Sequence, residues 1–295
     1  MKRITRDHTV PLEKRYKVRE PVAEVELGET FIVETITFDT SIIRKPEDVN
    51  QFHMREETGP IFVKGIEPSD VLAIYIQAIE PVGHATGSPQ RDQKTHSFLE
   101  ISDGRVHFPG RLWSPLRTMI GDIYVTPPAW PGGNPWDNGG NMDFKDIAPG
   151  NALHLRAQLE GGLLVLGDAH AVQGDGLILG LAAECAADVT LRITKDETFL
   201  SDRPLIKKPD SFVTIASRPD YVKATELAAE DAAKVLTRLT GCSENEAFLY
   251  VATVGDLRAG SVFTMGLTNV LEMGRRIPLT VGIEVPLLGI EDLHA

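Results

Sequence analysis

The segment Leu166–Glu184, LGDAHAVQGDGLILGLAAE, concentrates polar and ionisable side chains on a glycine-rich part of the chain. Its acidic, imidazole and amide residues are Asp168, His170, Gln173, Asp175 and Glu184. Polar groups cost free energy when they are buried without partners, so such a cluster predicts a site. If the chain stays extended, Asp168 and His170 point to one side of a sheet, because they lie two residues apart. A carboxylate and an imidazole that converge suit Zn²⁺ or a similar cation.

The second half of this segment leaves two roles open. Gly174–Asp175–Gly176 predicts a turn, because glycine tolerates positive φ. Asp175 either caps that turn or takes part in catalysis. Glu184 follows the apolar run LILGLAA, so we expect it to be buried, where it suits a general acid or base. The alternative for Glu184 is a partly exposed strand end.

A second candidate segment is 127–146, PPAWPGGNPWDNGGNMDFKD. Its density of Gly, Pro, Asn and Trp indicates a long structured loop, and such loops in compact domains are often functional. Asn141 and Asp143 again lie two residues apart, so they too can converge on one point. The alternative is a loop held together by its own Asx turns.

Two familiar chemistries are not supported. The chain has no G-x-S-x-G motif, which would place a nucleophilic serine. The run Gly174–Gly180 resembles a dinucleotide fingerprint, but its spacing is one residue too long and no βαβ alternation surrounds it. A nucleotide cofactor is therefore not expected.

The elements that must position these residues are mostly strands. Val71–Ile79 is nearly all apolar, which predicts a strand buried on both faces. Ala152–Leu159 and Val189–Thr194 alternate, which predicts one buried face, with His154 and Arg156 on the outward side. Many short strands separated by Gly and Pro indicate a sandwich or barrel.

The chain changes character after residue 200. Glu226–Thr240 has apolar residues at helical spacing, with Thr225 as a plausible N-cap, and Ser243 opens a capping box for a second helix. We therefore expect an α+β, mainly β protein. Residues 1–200 would form a β-sandwich-like domain that carries the metal site. Residues 201–295 would form an α+β part with two short helices packed on a small sheet.

Composition limits the partners. The 295 residues include 30 Lys and Arg against 42 Asp and Glu, a net charge of −12, and the basic residues are scattered. Nucleic acid is therefore not an expected partner. No apolar stretch approaches the ~18–20 residues that span a bilayer, and the N-terminus lacks a signal-like apolar run, so we expect a cytoplasmic protein and no membrane partner. A homodimer is expected because sheet edges need protection.

Four motifs resemble the acetamidase/formamidase family. GDAHAVQGDG (Gly167–Gly176) matches that family's G-D-x-H-A-x-Q-G-D-G, and GGNMDFKD (Gly139–Asp146) is similar to its G-G-N-x-D-x-K. Thr58–Ile76 is similar to its T-G-P-I stretch, and Ala252–Ala259 resembles its D-L-R segment. The likeness keeps the motifs in order over most of residues 25–265.

The resemblance implies a β-sandwich-like fold with an added α+β part and a metal-dependent hydrolase of a small amide such as formamide or acetamide. The implied metal ligands are Asp143, Asp168 and His170. The catalytic candidates are Glu184, Asp175 and Asn141. The substrate-binding candidates are Gln173 and Phe144. The cofactor would be a divalent ion, with zinc expected and calcium as the alternative.

Two departures from the family pattern bear on activity. Leu177 stands where the family has Glu, which removes a carboxylate from beside the site. Phe144 stands where the family has Thr, and a bulkier, more apolar loop would either admit a larger substrate or close the pocket. The alternatives to a short-amide hydrolase are therefore a hydrolase of a larger amide and a non-catalytic, metal-containing binding protein of the same fold.

Overall fold

The computed structural model describes residues 1–11, 15–37, 42–49, 56–88, 95–129, 131–262 and 278–287. Trp130, in the loop singled out above, lies outside the described residues. Within these ranges the protein is mainly β, with eighteen strands and two α-helices. The predicted fold class, mainly β with an α+β part, is confirmed.

The first nine strands are β1 (Lys2–Ile4), β2 (Thr9–Pro11), β3 (Ala23–Val25), β4 (Thr30–Glu34), β5 (Glu56–Val63), β6 (Val71–Gly87), β7 (Ser97–Ser102), β8 (Arg105–His107) and β9 (Trp113–Pro115). The next seven are β10 (Met119–Val125), β11 (Gly139–Asn141), β12 (Ala152–Arg156), β13 (Leu164–Val172), β14 (Ala183–Asp196), β15 (Leu205–Lys207) and β16 (Ser211–Arg218). They are followed by α1 (Tyr221–Thr240), α2 (Glu244–Val254), β17 (Asp256–Ala259) and β18 (Leu279–Pro286).

The longest pairing among the described strands is the antiparallel pair β6–β14. Its register runs from Val71 opposite Asp196 to Thr86 opposite Glu184, with two irregularities on the way. The predicted alternation over Val189–Thr194 is confirmed, because Val189, Leu191 and Ile193 are buried between partly exposed neighbours. These side chains belong to the larger of the apolar clusters, which fills the main sheet region.

The predicted outward face of β12 is wrong at His154. That side chain is only 2% exposed, because β12 pairs with β6 on one edge and β15 on the other, and Phe199 lies over the ring. The Nε2 of the buried imidazole lies 2.9 Å from the Oδ2 of Asp196. This hydrogen bond from His154 lowers the pKa of Asp196 to about 2.

The helices cover one face of the C-terminal strands. α1 packs on β16 and β18, and the apolar residues between them form a second buried cluster that includes Phe212, Ala232 and Val285. The structure begins α1 at Tyr221 with Asp220 as its N-cap, so Thr225 is a residue within the helix and its predicted capping role is wrong. The capping box of Ser243 with Glu246 at α2 is confirmed.

The structure also bears on the expected division of the chain at residue 200. β15 continues the main sheet by pairing with β12, so residues on both sides of position 200 share hydrogen bonds. The division into parts 1–200 and 201–295 stays a prediction.

Neither described helix combines the length and the apolar content needed to cross a membrane.

Strand β13 is the element that positions the candidate site. It pairs with β10 along most of its length, with β5 near its beginning and with β14 near its end. All nine of its residues are buried. A strand that lies between partners on both edges is held firmly, so side chains near its C-terminal end have fixed positions.

The first prediction concerns the acid stability of the β12–β14 region. A carboxylate whose pKa is lowered in the folded state stabilises the protein above its unfolded pKa, near 3.8, and loses this contribution as the pH falls through about 2. We expect Asp196→Asn to lower the free energy of unfolding by about 1–2 kcal/mol at pH 6, a value reduced for partial solvation. The difference from wild type should close towards pH 2.

Urea unfolding at several pH values measures this difference. Asp210→Asn, at an exposed aspartate, is the matched control and should follow wild type at every pH. A gap between Asp196→Asn and wild type that stays constant from pH 6 to pH 2 would contradict the assignment.

Candidate metal centre

Three buried side chains converge at the end of β13. One ligand atom each from Asp143, Asp168 and His170 lies within 4.8 Å of the others, and all three residues are buried. Asp168 and His170 come from β13 itself, and the Nε2 of His170 lies 3.6 Å from the Oδ1 of Asp168. Asp143 comes from the loop that follows β11. The structure thus brings together the three residues that sequence reasoning named as metal ligands.

Both aspartates of this cluster have left-handed backbone conformations, with φ of 47° at Asp143 and 59° at Asp168. This region is disfavoured for residues with a Cβ, although aspartate adopts it more readily than most. At Asp143 the conformation is fixed by the backbone N–H, which donates to the carbonyl oxygen of Gly121 at 3.0 Å. Strained backbone of this kind concentrates where a structure fixes functional side chains.

Gly121 on β10 is the residue that sequence reasoning missed. A Cβ placed on it would lie 2.6 Å from the Oδ1 of Asp143, 2.7 Å from the Oδ2 of Asp168 and 3.0 Å from the Cε1 of His170. Only glycine therefore leaves room for the carboxylates to meet the imidazole. The signal in the sequence was a glycine inside the strand MIGDIYV, since glycine within a strand often marks a close approach.

The imidazole of His170 is held in one tautomer by Gln173. Nδ1 lies 2.7 Å from the Oε1 of Gln173, while the Nε2 of that amide donates to the backbone carbonyl of Asp143. Because an amide oxygen only accepts, Nδ1 must carry the proton, and in the neutral ring Nε2 keeps a lone pair. The Nε2 atom faces the carboxyl groups of Asp168 and Glu184. An orienting partner behind a histidine ligand is common in metal sites.

Glu184 joins the cluster from β14. Its Oε2 lies 2.9 Å from the Nε2 of His170, and its Oε1 accepts a hydrogen bond from the backbone N–H of Ala182 at 3.0 Å. The residue is 2% exposed, so the expected burial is confirmed. Its position follows from strand pairing, because Glu184 lies directly opposite His170 in the β13–β14 register.

The described part of this cluster is rich in carboxyl groups. Asp143, Asp168 and Glu184 supply three carboxylates around one imidazole, in a region without exposed surface. Burial disfavours the protonated ring, but the carboxylates of Glu184 and Asp168 outweigh it and hold the pKa of His170 well above its ordinary value. Among the described residues of the cluster the carboxyl groups outnumber the one imidazole, and negative charge in the interior is costly unless a cation accompanies it.

The donor set fits a divalent cation. Two carboxylates and an imidazole nitrogen suit Zn²⁺ and related ions, and three protein ligands leave room for a water or a substrate. The space that Gly121 keeps open lies among these donors. A cation there would also compensate the excess charge.

Asn141 supports the cluster from the loop. Its Nδ2 donates to the Oδ2 of Asp143 at 2.8 Å, and its backbone N–H donates to the Oδ1 of Asn134 at 2.9 Å. Asn134 also accepts a hydrogen bond from the hydroxyl of Tyr16. The loop is thus held by specific contacts, and its amide side chains orient one of the proposed ligands.

Two of the predicted site residues point elsewhere. Asp175 is exposed in the 3₁₀ turn Asp175–Leu177, where its Oδ2 lies 2.9 Å from the Nζ of Lys145 and 3.6 Å from the Nε of Arg258. Phe144 is fully buried, and its ring lies against Gly282 on β18. The structure does not bring either side chain to the Asp143–Asp168–His170 cluster.

A cavity of about 500 Å³ adjoins the cluster. Gln173, which contacts His170 and Asp143, lines this cavity, and so do Ala182 and Ala183, which precede Glu184. A mostly apolar cavity beside a few convergent polar groups is the usual form of a ligand site.

The second prediction concerns Gly121. We expect Gly121→Ala to displace the carboxylates of Asp143 and Asp168 and so to abolish stoichiometric binding of a divalent ion, measured by elemental analysis after metal loading and desalting. Gly174→Ala is the control, because a Cβ there meets nothing within 4 Å and its φ of −91° suits alanine. Equal metal content in both variants, with the fold retained by circular dichroism, would refute the assigned crowding.

The comparisons with known proteins point to one family. A model of the Acetamidase/Formamidase family matches residues 131–245, which include the loop around Asp143 and strands β13 and β14. A solved acetamidase from Bacillus halodurans is 29% identical, covering 99% of this chain and 100% of its own, with a TM-score of 0.85. A predicted acetamidase/formamidase from the thermophile Thermoanaerobacter tengcongensis is 27% identical over 99% of this chain and 97% of its own, with a TM-score of 0.85.

An acetamidase from Yersinia enterocolitica, 24% identical over 98% of this chain and 92% of its own, shares the fold with a TM-score of 0.82. No curated protein matches the chain significantly. The resemblance expected from the four motifs is confirmed by the family model and by the first two structures. Residues 131–245 of this chain thus match the acetamidase/formamidase family, and the chain as a whole is similar to solved proteins described as acetamidase or acetamidase/formamidase.

Proposed function

We propose that this protein is a metal-dependent amidohydrolase that converts a small carboxamide and water into a carboxylate and ammonia. The family model that matches residues 131–245 and the solved acetamidases that the chain resembles support a hydrolase acting on amide C–N bonds. The observation that carries the metal dependence is the buried convergence of Asp143, Asp168 and His170 around the space that Gly121 keeps open.

The proposed ligands are the carboxylates of Asp143 and Asp168 and the Nε2 of His170. A bound divalent ion would supply Lewis acidity, which polarises the amide carbonyl and lowers the pKa of a water. Gln173 keeps the proton of His170 on Nδ1, and Asn141 orients the carboxylate of Asp143. These two amides therefore act on the ligands, whatever further contact they make with substrate.

Glu184 is the proposed general base and acid. Its carboxylate is buried beside His170 and steadied by the N–H of Ala182, so it has a defined direction. As the water oxygen bonds to the carbonyl carbon, Glu184 accepts the water proton. It then gives that proton to the amide nitrogen as the C–N bond breaks, and ammonia leaves. Such proton transfer typically contributes about 10²–10⁴ in rate.

Other assignments made from the sequence stay predictions. A catalytic role for Asp175 would have to overcome its ion pairs with Lys145 and Arg258 at the surface. A substrate contact for Phe144 would need the ring to leave its position against Gly282. Homodimer formation is directly measurable by light scattering.

The third prediction tests the metal site. We expect His170→Ala to lose the bound divalent ion and the release of ammonia from short amides, because Nε2 is the only nitrogen in the proposed ligand set. His8→Ala, at an exposed histidine, should retain both. Metal content by elemental analysis and ammonia release from formamide, acetamide and propionamide are the measurements.

Two results would count against the proposal. Unchanged metal content in folded His170→Ala protein would refute the ligand assignment. Wild-type protein with stoichiometric metal that releases no ammonia from any of the amides would favour the non-catalytic binding protein.

The fourth prediction separates proton transfer from metal binding. Glu184→Gln keeps the size of the side chain but cannot exchange a proton, so we expect kcat to fall by about 10²–10⁴ while metal content is retained. Glu160→Gln, at an exposed glutamate, should match wild type in both measurements. If Glu184→Gln instead loses its metal, Glu184 is a ligand and its assignment as the base fails.

A further inference from the structure

The cavity beside the metal centre is larger and more apolar than a two-carbon amide requires. Its volume is about 500 Å³. Acetamide has four non-hydrogen atoms, and at about 30 Å³ for each, the share of one liquid water, it would fill on the order of 100 Å³. The cavity therefore has room for a much longer molecule than acetamide.

The described lining of this cavity is mostly apolar. Among the described residues that line it, most side chains are aliphatic or aromatic, three are serines, and none is charged. The main apolar members are Leu99, Phe108, Val172, Leu177, Ile178 and Leu181. A lining of this kind offers dispersion contact and removal from water to an apolar group, and it offers no counter-ion to a charged one.

Three residues that line the cavity also contact or adjoin residues of the candidate metal centre. Gln173 contacts both His170 and Asp143, and Ala182 and Ala183 lead directly into Glu184. A molecule whose carboxamide reaches the metal centre would therefore extend its other end along the apolar lining. In such a complex the amide group would lie at the metal centre and the acyl chain would lie in the cavity.

We infer that this cavity is an acyl-chain subsite, and that the preferred substrates are primary amides of medium-length, uncharged aliphatic acids. The inference rests on the proposed amidohydrolase function and specifies its substrate class. Leu177 is central to it, because its side chain is 6% exposed and lines the cavity within the turn that follows β13. Apolar contact at this position stabilises a hydrocarbon chain and gives nothing to formamide.

The outer part of the lining is accessible to solvent. Leu112 is 72% exposed and Ile178 is 76% exposed, although both lie on the cavity wall. Large apolar side chains that stay exposed at the opening of a cavity often mark a contact surface. An acyl chain entering from this side would cover them.

The fifth prediction is a chain-length profile. Transfer of one methylene from water to an apolar environment favours binding by about fourfold, so kcat/KM should rise by up to that factor per added carbon from acetamide through butyramide to hexanamide. Binding of acetamide and hexanamide is measured in parallel by calorimetry, so that the subsite is assessed independently of turnover.

Variants at the exposed part of the lining test the residues. We expect Ile178→Ser and Leu112→Ser to lower the hexanamide-to-acetamide ratio of kcat/KM by about tenfold, because each removes apolar contact from the chain alone. Both positions are exposed, so the fold should tolerate the change. Leu249→Ser, at a leucine of α2 that is 69% exposed and does not line the cavity, is the matched control and should keep the wild-type ratio.

The outcomes separate this inference from the proposed function. Turnover of formamide and acetamide with a profile that is flat or falls towards hexanamide overturns the subsite and leaves the amidohydrolase standing. Absence of turnover, together with hexanamide binding that Ile178→Ser weakens, overturns the function and supports the subsite. If both serine variants leave the profile unchanged and instead lower the molecular mass in light scattering, the exposed leucine and isoleucine contact a second copy of the chain, and the subsite is overturned.

Discussion

Three carboxylates held around one imidazole, away from solvent, form the interaction on which the site depends. Asp143, Asp168 and Glu184 repel one another, and burial makes that repulsion stronger than it would be at a surface. Such an arrangement persists only where the surrounding structure is rigid and where a positive charge compensates it. Firmly paired strands supply the rigidity, and a divalent ion with His170 would supply the charge.

The sheet meets this requirement by pairing β13 along both edges. β10 brings Gly121 against the cluster, and β14 places Glu184 opposite His170. Asp143 is the exception, because it comes from a loop, and the loop compensates with hydrogen bonds from Asn141 to Asp143 and from Gln173 to the Asp143 backbone. Strand pairing thus positions His170 and Glu184, and side-chain hydrogen bonds position Asp143.

Sequence reasoning found the parts of the site that share a strand or a short motif. Asp168 and His170 are two residues apart, and in a strand that spacing alone predicts convergence. Gly121 was missed because its importance depends on what lies across the sheet, which no local pattern records. Glu184 could be expected to be buried, but its contact with His170 depends on the register between two strands.

The wrong expectation at His154 has the same origin. In the alternating sequence of β12, His154 occupies a position where an exposed polar side chain is expected. Strand β15 and Phe199 lie next to it, so tertiary packing decides that this side chain is buried. The roles expected for Asp175 and Phe144 stay predictions, with the side chain of Asp175 at the surface and that of Phe144 in the core. Adjacency in sequence predicts adjacency in space only while the backbone stays regular.

The left-handed backbone at Asp143 and Asp168 has a consequence for how this family can change. Glutamate would keep the carboxylate at either position but tolerates positive φ less well than aspartate, and asparagine would tolerate the backbone but lose the charge. Conformation and chemistry therefore select the same amino acid independently. A conservative exchange is therefore disfavoured at both positions, and if the cluster binds a metal, a related protein that has lost it should carry asparagine or glycine at one of these two positions first.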